Sequence, residues 1–173
     1  MSGPRRAAPP APPAALALAL AASLGAGCAS FAAPKPPPYT GADTVDEVSG
    51  DVFVGDWRLV ALNPIEGEEV PGRTIAYAGD GTFEARIEPT AEMAEAVGPE
   101  PIVSSGTWSV TGGRLLHETT DVRMPGDDLV SRLASRMMRG GPSMASEAEI
   151  YEARPGRIVI VTEEGYANAL EPL

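Results

Sequence analysis

From residue 51 onward, apolar and polar residues alternate with a period close to two. Asp56 to Leu62 places Trp57, Leu59 and Ala61 on one face. Gly72 to Ala78 is a second run. Thr82 to Glu88 is a third, with Phe83, Ala85 and Ile87 on one side and Glu84, Arg86 and Glu88 on the other. Such alternation marks a strand with one buried face. Ile102 to Val110, Arg114 to Val122, Glu147 to Ala153, Arg157 to Thr162 and Tyr166 to Leu170 continue the series. Gly79-Asp80-Gly81, Thr111-Gly112-Gly113, Arg154-Pro155-Gly156 and Glu163-Glu164-Gly165 supply tight turns, where glycine accepts positive φ. Eight short strands connected this way predict an all-β domain over residues 51–173, an antiparallel sandwich or barrel.

Two segments break the pattern. Thr90 to Val97, between Pro89 and Pro99, predicts one or two helical turns. Asp127 to Arg139 predicts a longer helix. Asp127 and Asp128 suit its positive N-terminal end, and Arg136 and Arg139 its C-terminal end. Leu129, Leu133 and Met137 recur at four-residue intervals, and Gly140-Gly141-Pro142 ends the run.

The N-terminus has a different texture. Arg5 and Arg6 precede an uncharged run from Ala14 to Gly27 that ends at Cys28. A basic region followed by an apolar core is the anatomy of a secretory signal, and the run is too short to span a bilayer. Leu24-Gly25-Ala26-Gly27-Cys28 resembles the cleavage region of bacterial lipoprotein precursors. That resemblance implies cleavage before Cys28, a diacylglycerol on its sulfur and an acylated new N-terminus. Ala29 in the next position favours the outer membrane, with the domain facing the periplasm. Residues 28–50 then form a tether rich in proline (Pro34, Pro36, Pro37, Pro38). It has too little apolar surface to offset its ordering entropy. Read as a semi-rigid spacer at about 3.1 Å per residue, Ala29 to Gly50 would reach on the order of 70 Å.

Composition removes several functions. With 13 basic and 24 acidic residues the net charge is −11, which repels nucleic acid. One Cys and one His exclude a disulfide framework and zinc sites built from several such ligands. Glu66, Glu68, Glu69 and Asp80 lack the loop spacing of a calcium-binding EF-hand. No serine sits in a G-x-S-x-G elbow, and no carboxylate pair is spaced for hydrolysis. No catalytic residue, metal site or cofactor is expected, and the chain reads as a non-enzyme.

Gly55-Asp56-Trp57, Gly79-Asp80-Gly81-Thr82-Phe83 and Gly106-Thr107-Trp108-Ser109-Val110 together resemble the bacterial lipocalin-like group over residues 52–170. The resemblance implies a small up-and-down antiparallel barrel of about eight strands, with non-covalent binding of a small hydrophobic or amphipathic ligand. It also implies an Arg near the last strand packed over the first Trp, whereas residues 158–173 contain no Arg. Inward candidates are Leu59, Ile75, Tyr77, Phe83, Ala85, Ile87, Val110, Leu115, Ile150, Ile158, Ile160 and Tyr166. Of these, Tyr77, Phe83 and Tyr166, with Trp108 and His117, are the candidate ligand contacts. Trp57 and Trp108 can instead plug the barrel base, and His117 can be a hydrogen-bonded strand residue. Arg132, Arg136 and Arg139, with Met137, place a basic edge on the second helix. It either touches anionic lipid or lids a barrel mouth, or it is a solvated face. A hollow barrel favours ligand binding. A filled one favours a structural or protein-interaction module, or an inhibitor of an envelope enzyme.

Overall fold

The computed structural model describes residues 35–124 and 144–173. Eight strands close into one barrel in which each pairs with its sequence neighbours, and the last pairs with the first. They are β1 (Gly55–Ala61), β2 (Gly72–Tyr77), β3 (Thr82–Glu88), β4 (Ile102–Thr111), β5 (Arg114–Arg123), β6 (Met144–Arg154), β7 (Arg157–Thr162) and β8 (Ala167–Pro172). All eight pairings are antiparallel. The expected up-and-down barrel is therefore the observed one. Closure leaves no sheet edge unpaired along most of its length.

The turns follow from local chemistry. In the β2–β3 hairpin Gly81 takes φ 84°, and its N–H donates to the Ala78 carbonyl at 3.1 Å. Asp80 Oδ1 accepts from the Thr82 N–H at 3.0 Å and its hydroxyl at 2.7 Å, which fixes the turn and holds the carboxyl pKa down. The expected first helix is α1 (Ala91–Val97), capped by Thr90, whose hydroxyl oxygen accepts from the Met93 N–H. The second expected helix, Asp127 to Arg139, lies outside the described residues, as do the signal segment and Cys28.

One correction concerns the N-terminal side. Residues 35–50 do not form a free spacer. Pro36 is buried, and Asn63 Nδ2 donates to the Pro37 carbonyl at 2.6 Å. Tyr39 packs edge-on against Tyr151, with ring centroids 5.4 Å apart. The Val45 N–H donates to the Ile150 carbonyl at 2.8 Å, where β6 runs on past its pairing with β5. Backbone pairing and ring packing thus supply what composition alone did not promise. The strap then leads into a 3-10 turn, Gly50–Phe53, that caps one end of the barrel. Phe53 is fully buried there.

Alternation and register set the inner face. Trp57, Ile75, Tyr77, Phe83, Leu115 and Ile150 belong to the core, together with Ile158, Ile160 and Leu170. Arginines and glutamates ladder across the outer face, as in Arg58–Glu171 at 3.3 Å and Arg86–Glu84 at 3.0 Å. Exposed pairs of this kind are worth under about 1 kcal/mol each.

Candidate functional site

The barrel interior divides into two halves. The half next to the 3-10 turn is filled. Trp57 opens β1 and its indole N–H donates to the Phe53 carbonyl at 2.6 Å. Trp108 on β4 donates to the Ala78 carbonyl at 3.1 Å. Both indoles are thus plugs, with their polar atoms satisfied by backbone. No Arg near the last strand is available to cover Trp57. The Phe53 backbone carbonyl satisfies its indole, and the Phe53 ring packs on Tyr77 and Trp108, with centroids 5.9 and 6.0 Å away.

Four of the sequence candidates meet in this filled half. Tyr77 lies 4.9 Å from Trp108 and 5.6 Å from His117, ring centroid to ring centroid, with its ring nearly parallel to the imidazole. Phe83 lies 4.9 Å from His117. The Tyr77 hydroxyl and His117 Nε2 share a hydrogen bond of 2.8 Å. Burial pushes the His117 pKa down to about 4 and the Tyr77 pKa up, so two neutral groups face each other at neutral pH. Tyr77, Phe83, Trp108 and His117 therefore contact one another as core. Tyr166 is a correction: it precedes β8, is 39% exposed and sits on the β7–β8 turn instead of inside the barrel. Arg132, Arg136, Arg139 and Met137 lie outside the described residues.

The other half is built differently. Leu59, Ala61, Ala85 and Ile87 continue the inward alternation of β1 and β3, yet all are only half-buried. Polar groups join them. Arg73 precedes Ile75 and Tyr77 on the inner face of β2 and pairs in register with Leu59 and Ile87. Its Nη2 donates to Asn168 Oδ1 at 2.5 Å, reaching across β1 to β8. Arg73 Nε is buried with no hydrogen-bond partner, the one such side-chain atom among the described residues. Desolvation lowers the guanidinium pKa. Ser104 and Asn168 are 5% and 3% exposed. Sequence reasoning missed Arg73 and Asn168. The signal was present in the strict alternation Arg73, Ile75, Tyr77 and Asn168, Leu170, which puts both polar residues on the core face.

Among the described residues no three of His, Cys, Asp and Glu gather as a metal site would require. No protein-family model matches the sequence, and no curated protein matches it. Among solved structures the chain is similar to an uncharacterized protein from Bacteroides eggerthii DSM 20697, at 13% identity and a TM-score of 0.45. It is also similar to a lipocalin-like protein from Bacteroides uniformis ATCC 8492, at 11% identity and a TM-score of 0.41. Each match covers 70% of this chain and 99% of the other. The barrel itself, closed and antiparallel with neighbour-to-neighbour connections, is of lipocalin-like architecture.

Proposed function

We propose that the protein is an envelope lipoprotein, anchored through Cys28 and facing the periplasm from the outer membrane, whose barrel binds a small amphipathic molecule. The contrast between the two barrel halves carries the ligand reading. One half is packed with aromatic and branched side chains. The other sets half-buried Leu59, Ala61, Ala85 and Ile87, together with buried Ile102 and Val122, beside the polar groups of Arg73, Ser104 and Asn168. An apolar wall with a few convergent polar groups is the usual composition of a small-molecule site. Architecture alone is weak warrant, because one barrel fold serves many functions. The anchor rests on Arg5, Arg6, the uncharged run to Gly27 and the lone Cys at its end. Binding is favoured over catalysis because His117 is committed to Tyr77 inside the packed half.

Native mass spectrometry of the full chain, gently isolated from cells, tests the ligand reading. The expected result is an added mass that denaturation releases. A bare mass, unchanged after exposure to a lipid extract, would overturn it and favour the interaction module that the packed half also suits. Labelling with radioactive fatty acid tests the anchor. Incorporation is expected in the natural chain and absent in Cys28→Ser.

A further inference from the structure

We propose that Arg73 is the headgroup anchor of the barrel and selects ligands carrying a carboxylate on an apolar body. This inference rests on the ligand-binding reading above and sharpens it to a chemical class.

The charge inventory isolates Arg73. Arg58, Arg86, Arg114, Arg123, Arg154 and Arg157 each pair with a carboxylate on the outer face. Arg73 is the one described arginine that pairs with none, in a chain with 24 acidic residues. It is also the one that points inward. A guanidinium carries five N–H donors in a planar fork. Here one of them is directed at Asn168, a neutral acceptor, and Nε is buried without a partner. A charge withdrawn from water is expensive unless it is paired, and an orphaned donor adds its own desolvation cost. The fork is the group that matches a carboxylate bidentately. Its register neighbours Leu59 and Ile87 are apolar and half-buried, so a ligand whose carboxylate reached Arg73 would lay its body against aliphatic wall. Asn168, 3% exposed and held from the adjacent side of β1, orients the fork.

The test measures binding of radiolabelled decanoic acid and decan-1-ol to the full chain by equilibrium dialysis at pH 7.5. Charge-assisted hydrogen bonds predict that the acid binds roughly 10- to 100-fold more tightly than the alcohol. Arg73→Gln should bring that ratio to about one while leaving decanol binding in place. Asn168→Asp should do the same by another route, because it sets a carboxylate of the protein's own beside the guanidinium. That second variant keeps the test decisive where Arg73→Gln fails to fold. Excess acetate or phosphate should displace neither probe. Equal binding of acid and alcohol by the natural chain would overturn the role of Arg73 while leaving the ligand reading intact. A preference that survives both substitutions would do likewise. Displacement of decanoate by acetate or phosphate at comparable concentration would make Arg73 a bare-anion site and overturn the amphipathic class. Binding of neither probe, together with a bare mass in the native spectrum, would remove the ligand reading and this inference with it.

Discussion

A single buried pair, Tyr77 and His117, gives the packed half of the barrel a defined pH response. His117 has its pKa pushed down to about 4 by burial, against an ordinary value of 6.5. Between those values the unfolded chain binds a proton that the folded chain refuses. Stability therefore rises with pH across this window and falls as the medium is acidified from about 6.5 toward 4. The shift corresponds to at most about 3 kcal/mol. Urea unfolding of the natural chain and of His117→Gln, at pH 7.5 and pH 4.5, isolates this share from that of the surface carboxylates. The natural chain should lose more stability on acidification than the variant, and identical losses would contradict the assignment. Tyr77→Phe leaves His117 Nε2 facing an apolar ring. Its expected cost at pH 7.5 is about 1–3 kcal/mol, read as a lower urea midpoint with an unchanged slope.

At the scale of elements, Asn63 ties one end of the strap from Lys35 to Ser49 to the β7–β8 turn. Asn63 donates to the Pro37 carbonyl at 2.6 Å and the Gly165 carbonyl at 2.8 Å, and its Oδ1 accepts from the Ala167 N–H at 2.8 Å. Asn63→Ala therefore frees the Pro37 end of the strap and strips partners from the β7–β8 turn. A loss of about 2–4 kcal/mol is expected, with faster proteolytic cleavage within residues 35–50. An unchanged cleavage rate would show that the strap is held elsewhere. Its lower end is held by close approach. Gly113 sits at φ 71°, and a Cβ there would lie 2.1 Å from the Val45 carbonyl oxygen. Gly113→Ala should lower stability by about 1–3 kcal/mol and expose the strap as well. The strands themselves were legible in the sequence, because a period of two with glycine turns has few other solutions. Gly72, Thr82 and Arg157 open their strands within a residue of expectation. The strap and the 3-10 turn were not legible. Prolines and small polar residues look the same whether they are solvated or docked on a wall, and the docking partners, Asn63, Tyr151 and Ile150, are distant in sequence. Phe53, the plug, was hidden between the supposed tether and the first alternating run. Tyr166 failed for a simpler reason: alternation extended one residue past the strand into its turn.

At the scale of the whole molecule, the strap decides how the barrel would sit on a membrane. It runs from the rim that carries Asn63 and Gly165 down to the 3-10 turn at the opposite end. Pro36 and Pro37 therefore lie at the rim of the half containing Arg73. Eight residue steps separate Cys28 from Pro36, so covalent geometry limits their separation to roughly 30 Å, less than half of what a fully free tether would allow. If Cys28 is lipidated as proposed, so short a leash leads to the expectation that the Arg73 half faces the bilayer and the plugged end faces away. That orientation would let an amphipathic ligand pass between membrane and barrel without crossing open water. Cys28 is the sole cysteine, and acylation blocks its thiol, so one introduced cysteine can be labelled uniquely. Fluorophores at Glu164→Cys, on the rim, and at Pro155→Cys, on the β6–β7 turn, report the two ends. In vesicles bearing the lipidated chain, headgroup-attached quenchers should quench the rim label strongly and the turn label weakly. Equal quenching would mean that the strap leaves its wall on the membrane. Stronger quenching at Pro155→Cys would turn the barrel over and leave Arg73 on the side away from the lipid.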